Sequence, residues 1–306
     1  MASGEVVDVE LLNGAANHSW ASFTTDSNSQ EIEFTKLETL RAWYDTIYQE
    51  EDIVVRHRDG HPWKLRFPSL NSLDIFCTQD ICPLLEYAVL PRRMESICIA
   101  MKASAYQELA SLVLPAAKRL TLRIDSDPSS DPSMLPAINR ILESARGCES
   151  LCLTISDRML QVVPESITCM ALTHLNITAT TSVDMMLAFI GRLPKLAELS
   201  IIYLDLSDTR TDLSVPDTDA GTVVEPLSLS LKSLALTYDS RLHSLDEAVA
   251  VVKYMLLRAL VLTELIASQV PTTAVLGFVE AYAPRHPRLK SVELILGADE
   301  WLEEDV

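Results

Sequence analysis

A six-residue phrase, apolar-x-x-apolar-x-apolar, recurs along most of this chain, and stretches with apolar residues three and four apart fall between the copies. The clearest copies are Leu70/Leu73/Ile75, Met94/Ile97/Ile99, Ala117/Leu120/Leu122, Cys148/Leu151/Leu153, Leu172/Leu175/Ile177, Leu196/Leu199/Ile201, Leu231/Leu234/Leu236, Leu262/Leu265/Ala267 and Leu289/Val292/Leu294. The last two apolar residues of each copy alternate on one pleated strand and point to one face, while the first anchors the turn that leads in. Measured between middle apolar residues, the copies lie 24, 23, 31, 24, 24, 35, 31 and 27 residues apart. A single repeat of this type runs about 20 to 29 residues, so the three long spacings carry additional chain. Asp125-Ser-Asp-Pro-Ser-Ser-Asp-Pro132 and the acidic run from Asp205 to Glu225, with Pro216 and Pro226, supply turn-rich inserts in two of them.

Two further copies stand upstream. Phe34-Thr-Lys-Leu37-Glu-Thr-Leu40-Arg-Ala42 matches Phe67-Pro-Ser-Leu70-Asn-Ser-Leu73-Asp-Ile75 position by position. The same region also suits a helix, because Leu37, Leu40, Tyr44, Ile47 and Tyr48 fall at helical spacing, so residues 31–49 remain open between strand and helix. Val6/Val9/Leu11 fits the phrase and ends at the turn signal Asn13-Gly14; Asn17 to Gln30 reads as a polar, mobile loop.

The linking stretches from Ser104 to Leu114, Leu135 to Ala145, Ser182 to Leu193, Leu245 to Leu257 and Thr272 to Ala283 read as amphipathic helices. Ser182 before Asp184 and Ser244 before Glu247 mark helix starts, and Pro194 and Pro284 mark stops. Strand and helix thus alternate. The pattern predicts an α/β leucine-rich-repeat solenoid, with parallel strands on the concave face and helices on the convex face. Residues 1–30 hold a weak first strand and its loop, residues 31–297 the solenoid, and residues 298–306 an acidic tail whose Trp301 is placed to fold over the last repeat.

Composition narrows the function classes. Hydrophobic residues make up 48% of the 306 positions, ample for an extended core. The most apolar run, Val251 to Ala267, is interrupted by Lys253, Arg258 and Glu264 and predicts no membrane span. Met1-Ala-Ser-Gly-Glu has no basic region followed by an apolar block, so the expected setting is intracellular, cytoplasmic or nuclear. Cys77, Cys82, Cys98, Cys148, Cys152 and Cys169 include no C-x-x-C pair and fit small buried positions better than a metal or disulfide framework. The triplets Asn17-His-Ser19 and Asn176-Ile-Thr178 have glycosylation spacing but no meaning inside the cell.

Catalytic signals are thin. Only 8 residues are glycine, against an average of about 7%, and no phosphate-cradling G-x-G-x-x-G or P-loop, nucleophile elbow or H-E-x-x-H occurs. His57 and His61 flank Asp59-Gly60, a hairpin tip without a third ligand. Asp125-x-Asp127-x-Ser129-x-Asp131 opens like a calcium loop but has Ser130 at the turn-glycine position and Pro136 where a bidentate Glu belongs. No enzyme, cofactor, metal or small-molecule substrate is expected. A formal charge of −18 argues against nucleic acid and anionic membranes and leaves two readings: a basic protein partner, or acidity that serves solubility.

The predicted outward strand positions are mostly small. Arg119, Arg123, His174, Asn176 and Glu198 are the polar exceptions and fall on three of four successive repeats, which makes them the candidate partner-binding residues.

The Leu-Pro-x-Leu-x-x-Leu-x-Ile phrasing at Leu193 to Ile201, its counterpart at Phe67 to Ile75 and the uneven repeat lengths resemble the leucine-rich regions of fungal F-box and related proteins, over about Phe34 to Leu296. Thr78, Lys102, Asp125, Ser156 and Thr180 stand where regular extracellular repeats carry an Asn ladder, so the repeats are similar to the irregular, ribonuclease-inhibitor-like type. The resemblance implies a non-enzymatic scaffold that binds a protein on its concave strands. The alternative it implies is the substrate-recognition part of a ubiquitin-ligase adaptor; no Leu-Pro-rich helical F-box is visible in this chain.

Overall fold

A computed structural model describes residues 7–12, 31–44, 64–77, 88–102, 114–125, 141–142, 147–155, 167, 171–206, 210–213, 226–238, 245–269, 272–282, 286 and 288–295. The protein is α/β, with parallel strands that fall on the recurring phrases. Two compact units divide it: residues 1–148 with 154–157, and residues 149–153 with 158–306.

In the first unit β1 (Val7–Leu12), β3 (Leu37–Tyr44), β5 (Ser72–Cys77), β7 (Arg93–Lys102) and β8 (Ala116–Asp125) pair in that order, all parallel. Their register superimposes the middle apolar residues, Val9 on Leu40, Leu40 on Leu73, Leu73 on Ile97 and Ile97 on Leu120. Residues 37–44 are therefore strand, where helical spacing is overridden by a ladder in which Leu40 and Leu73 are both buried, and residues 45–49 of the open reading lie outside the described residues. A second, three-stranded parallel sheet joins β2 (Glu31–Glu33), β4 (Lys64–Arg66) and β6 (Ala88–Val89). The described linking residues of these early repeats, where no helix was predicted, thus include a second set of strands. The stacked rings of Phe34 and Phe67, 4.9 Å apart, line the turns between the two sheets.

In the second unit β10 (His174–Ser182), β11 (Glu198–Asp205), β12 (Ser233–Tyr238), β13 (Glu264–Ser268) and β14 (Ser291–Ile295) pair in order and in parallel. Between the two sets in sequence, β9 (Ser150–Ile155) is divided, with residues 150–153 in the second unit and 154–155 in the first. Three helices whose limits are described, α1 (Val183–Arg192), α2 (Leu245–Arg258) and α3 (Thr272–Tyr282), belong to the second unit and lie within two residues of their predicted limits, and Ile141 and Leu142 of the first unit are helical inside the predicted 135–145 helix. Ser182 caps α1 by accepting from the Met185 N–H at 3.3 Å, and the helix buries Val183, Met186, Phe189 and Ile190. The predicted helices at 104–114 and 135–145 lie mostly outside the described residues, as do the 17–30 loop, the Asp59-Gly60 tip, most of the 125–132 insert and the tail with Trp301.

Inward positions are sealed where predicted: Leu175, Ile177, Leu199, Ile201, Leu234, Leu236, Leu265 and Ala267 are at most 2% exposed. The last copy differs. Val292 and Leu294 are only half-buried, since β14 ends the strand order and has no following repeat to cover it among the described residues.

Candidate functional site

Six of the strands are entered through a shared carbonyl. The Asn71 oxygen accepts from the N–H groups of Glu95 and Ser96, and the oxygens of Glu149, Thr173, Ala197, Lys232 and Thr263 each accept from the two residues that open the next strand. Two donors converge on one acceptor because the chain bends as it enters the strand, and the bend aims the following residues outward. The outward side chains therefore stack in rows, one residue per strand.

In the second unit one row reads His174, Glu198, Ser233, Glu264 and Ser291, and the next Asn176, Ser200, Ala235, Ile266 and Glu293. The row register brings His174 Nε2 to 3.3 Å from Glu198 Oε1, while His174 Nδ1 lies 2.7 Å from Thr173 Oγ1. Both side chains of the pair are at least half-exposed. Ser233 donates to Glu264 Oε2 at 2.8 Å, and Asn176 is exposed one row further along. Of the predicted residues, these three are brought onto adjacent strands β10 and β11.

Arg119 and Arg123 lie on β8 of the first unit, both exposed, in rows with Ser96 and Ala100 of β7. Arg119 Nη2 stands 3.8 Å from Glu95 Oε1, and Lys118 Nζ is closer, 3.0 Å from Glu95 Oε2. The hydrogen bond from Lys118 first, then the charges of Lys118 and Arg119, hold the Glu95 carboxyl below the usual glutamate range, with desolvation opposing them. Further along the row Ser72 and Ser96 hydroxyls meet at 2.8 Å. The five predicted residues thus fall in two groups, one in each unit.

Sequence reasoning missed Glu95, Lys118 and Glu264 as members of these networks. Glu95 and Lys118 occupy the second position of the phrase in consecutive copies, so reading that position for charge would have found them. Asp184 is another omission. Its carboxylate accepts from the N–H groups of Arg210 and Thr211 at 3.0 and 3.1 Å and from the Thr211 hydroxyl, tying the start of the acidic insert to the first turn of α1. The thiols of Cys98, Cys148 and Cys152 are in no disulfide, and Cys148 donates to the Lys118 carbonyl at 3.4 Å.

Among the described residues no three His, Cys, Asp or Glu side chains gather as metal ligands would, and no helix is long and apolar enough to cross a membrane. No protein-family model matches this chain, and no curated protein matches it.

Proposed function

We propose that this protein is a non-enzymatic interaction scaffold: an irregular leucine-rich-repeat solenoid, working in the cytoplasm or nucleus, that holds a partner protein against its outward strand faces. The observation that carries this reading is the ladder itself. In each unit, parallel strands in register bury one set of side chains almost completely and leave the alternate set accessible, with small residues between the charged ones. Such a face offers many weak contacts over a large area. Arg119 and Arg123 in the first unit, and His174, Asn176 and Glu198 in the second, are the contact residues proposed on it.

Blocking tests the reading without touching charge. Thr121 and Ser200 are half-buried outward residues of β8 and β11, and Thr121→Trp or Ser200→Trp would obstruct any occupant of the face. A partner recovered from the native host with the unaltered protein should be lost with one of these variants, while the melting temperature stays within a few degrees. Retention by both variants, with loss on deleting residues 214–225, would move the contact to the insert and reject the strand-face reading.

A further inference from the structure

The strand face of the first unit is cationic in a chain that is strongly anionic overall. Arg92, Arg93, Lys118, Arg119 and Arg123 are all exposed on or beside β7 and β8, five of the 25 lysines and arginines of the whole chain, against two carboxylates on those strands, Glu95 and, at the end of β8, Asp125. Register places them at three levels: Arg93 opposite Ala116, Lys118 and Arg119 beside Glu95 and Ser96, and Arg123 opposite Ala100. Between the second and third levels stand the paired Cys98 and Thr121, small enough to let a backbone approach. From Ala116 to Arg123 a strand rises about 23 Å at about 3.3 Å per residue, the length of an extended segment of seven or eight residues.

A formal charge of −18 taken alone favours a basic partner. It governs only the distant approach. At physiological salt the screening length is about 8 Å, so a chain lying on β7 and β8 feels the cations beneath it far more than carboxylates elsewhere. Arginine also offers a planar pair of donors that matches a carboxylate. We propose that this face binds an extended, acidic segment of a partner protein, with Arg119 and Arg123 as its main anchors and Arg93 at one end. The proposal rests on the scaffold reading and names the chemistry of its partner.

The probe is a fluorescein-labelled heptaglutamate peptide, titrated against the full chain by fluorescence anisotropy. Binding should weaken steadily from 50 to 300 mM salt. Arg119→Glu with Arg123→Glu should weaken it at least tenfold, and Arg119→Lys with Arg123→Lys should weaken it less than threefold. Arg119→Gln with Arg123→Gln replaces the reversal if that variant fails to fold, with loss of at least fivefold expected. Absence of binding at 50 mM salt, or an affinity within twofold after reversal, overturns the proposal. A native partner that is displaced by Thr121→Trp but indifferent to the charge reversal also overturns it, and leaves the scaffold reading standing.

Discussion

His286 is 4% exposed, and its ring takes over a task that a main-chain carbonyl performs in other repeats. At Phe67, Leu193 and Ala259 the carbonyl accepts from the N–H three residues on, which closes the turn into the strand. In the last repeat His286 Nδ1 accepts instead, from Leu289 N–H at 3.0 Å and Arg288 N–H at 3.4 Å, and Nε2–H donates to the Ala259 carbonyl at 3.2 Å. Accepting at Nδ1 fixes the proton on Nε2. Ser228 makes a smaller version of the same closure, its Oγ accepting from the N–H groups of Ser230 and Leu231. His286→Ala should cost about 1 to 3 kcal/mol, since it removes the acceptor of two part-buried N–H groups, and urea unfolding will measure it; a cost within error of zero would mean that water replaces the ring. The inward leucines are a simpler case. Leu175→Ala and Leu199→Ala, each at a position 2% exposed, should cost about 2 to 5 kcal/mol through the cavities they leave, and losses below half a kcal/mol at both would reject the inward register. That register was legible in sequence because burial has period two. The His286 closure was not, because a Pro-containing turn signal does not reveal which atom accepts its bond.

Helices and strands differed in how plainly the chain announced them. α1 carries its limits in local chemistry, with Ser182 as the cap, Asp184 in the first turn and Arg192 in the last. The paired strands β2, β4 and β6 carry no such signal: each has two or three residues and exists because its neighbours supply a ladder. Strand exits are also irregular, with register shifts between Thr178 and Thr181 and between Ile202 and Leu204, and with Tyr203 at φ 74° and Gln269 at φ 64°. No pattern of apolar residues encodes a bulge. The link between α1 and the insert makes a pH test possible. The hydrogen bond from the Thr211 hydroxyl first, then those from the Arg210 and Thr211 backbones, lowers the Asp184 pKa, with desolvation opposing them. A depressed carboxylate contributes stability that is fully present above the ordinary aspartate range, near pH 4, and lost as pH falls through the folded value. Asp184→Asn should therefore destabilise the protein at pH 7, and the gap from the unaltered chain should close on acidification below about pH 4. A gap that is constant from pH 7 to pH 2.5 would show that charge on Asp184 contributes nothing.

Over the whole molecule, net charge proved a poor guide to local surface, because −18 is a sum over residues that the fold distributes unevenly. The sequence placed Arg119, Arg123, His174, Asn176 and Glu198 on one list because their repeats fall within four successive copies; their immediate partners came from register, which joins Glu95 to Lys118 and His174 to Glu198. Register also decides how a perturbation spreads. In the second unit each strand bonds only to the strands beside it, from β10 through β14, so stability there is close to a sum of nearest-neighbour contributions. Leu265 of β13 is fully buried between β12 and β14, whereas β14 already has its inward residues half-open. A cavity at Leu265 should loosen β14 first, because that strand leans on β13 alone, then β12, and should reach β10 least. Native-state hydrogen exchange on Leu265→Ala should then show β14 amides at least tenfold faster, equivalent to about 1.4 kcal/mol, with β10 amides changed less than threefold. Equal acceleration of β10 and β14 would mean that the second unit opens as one cooperative body and that its strands do not act through nearest neighbours.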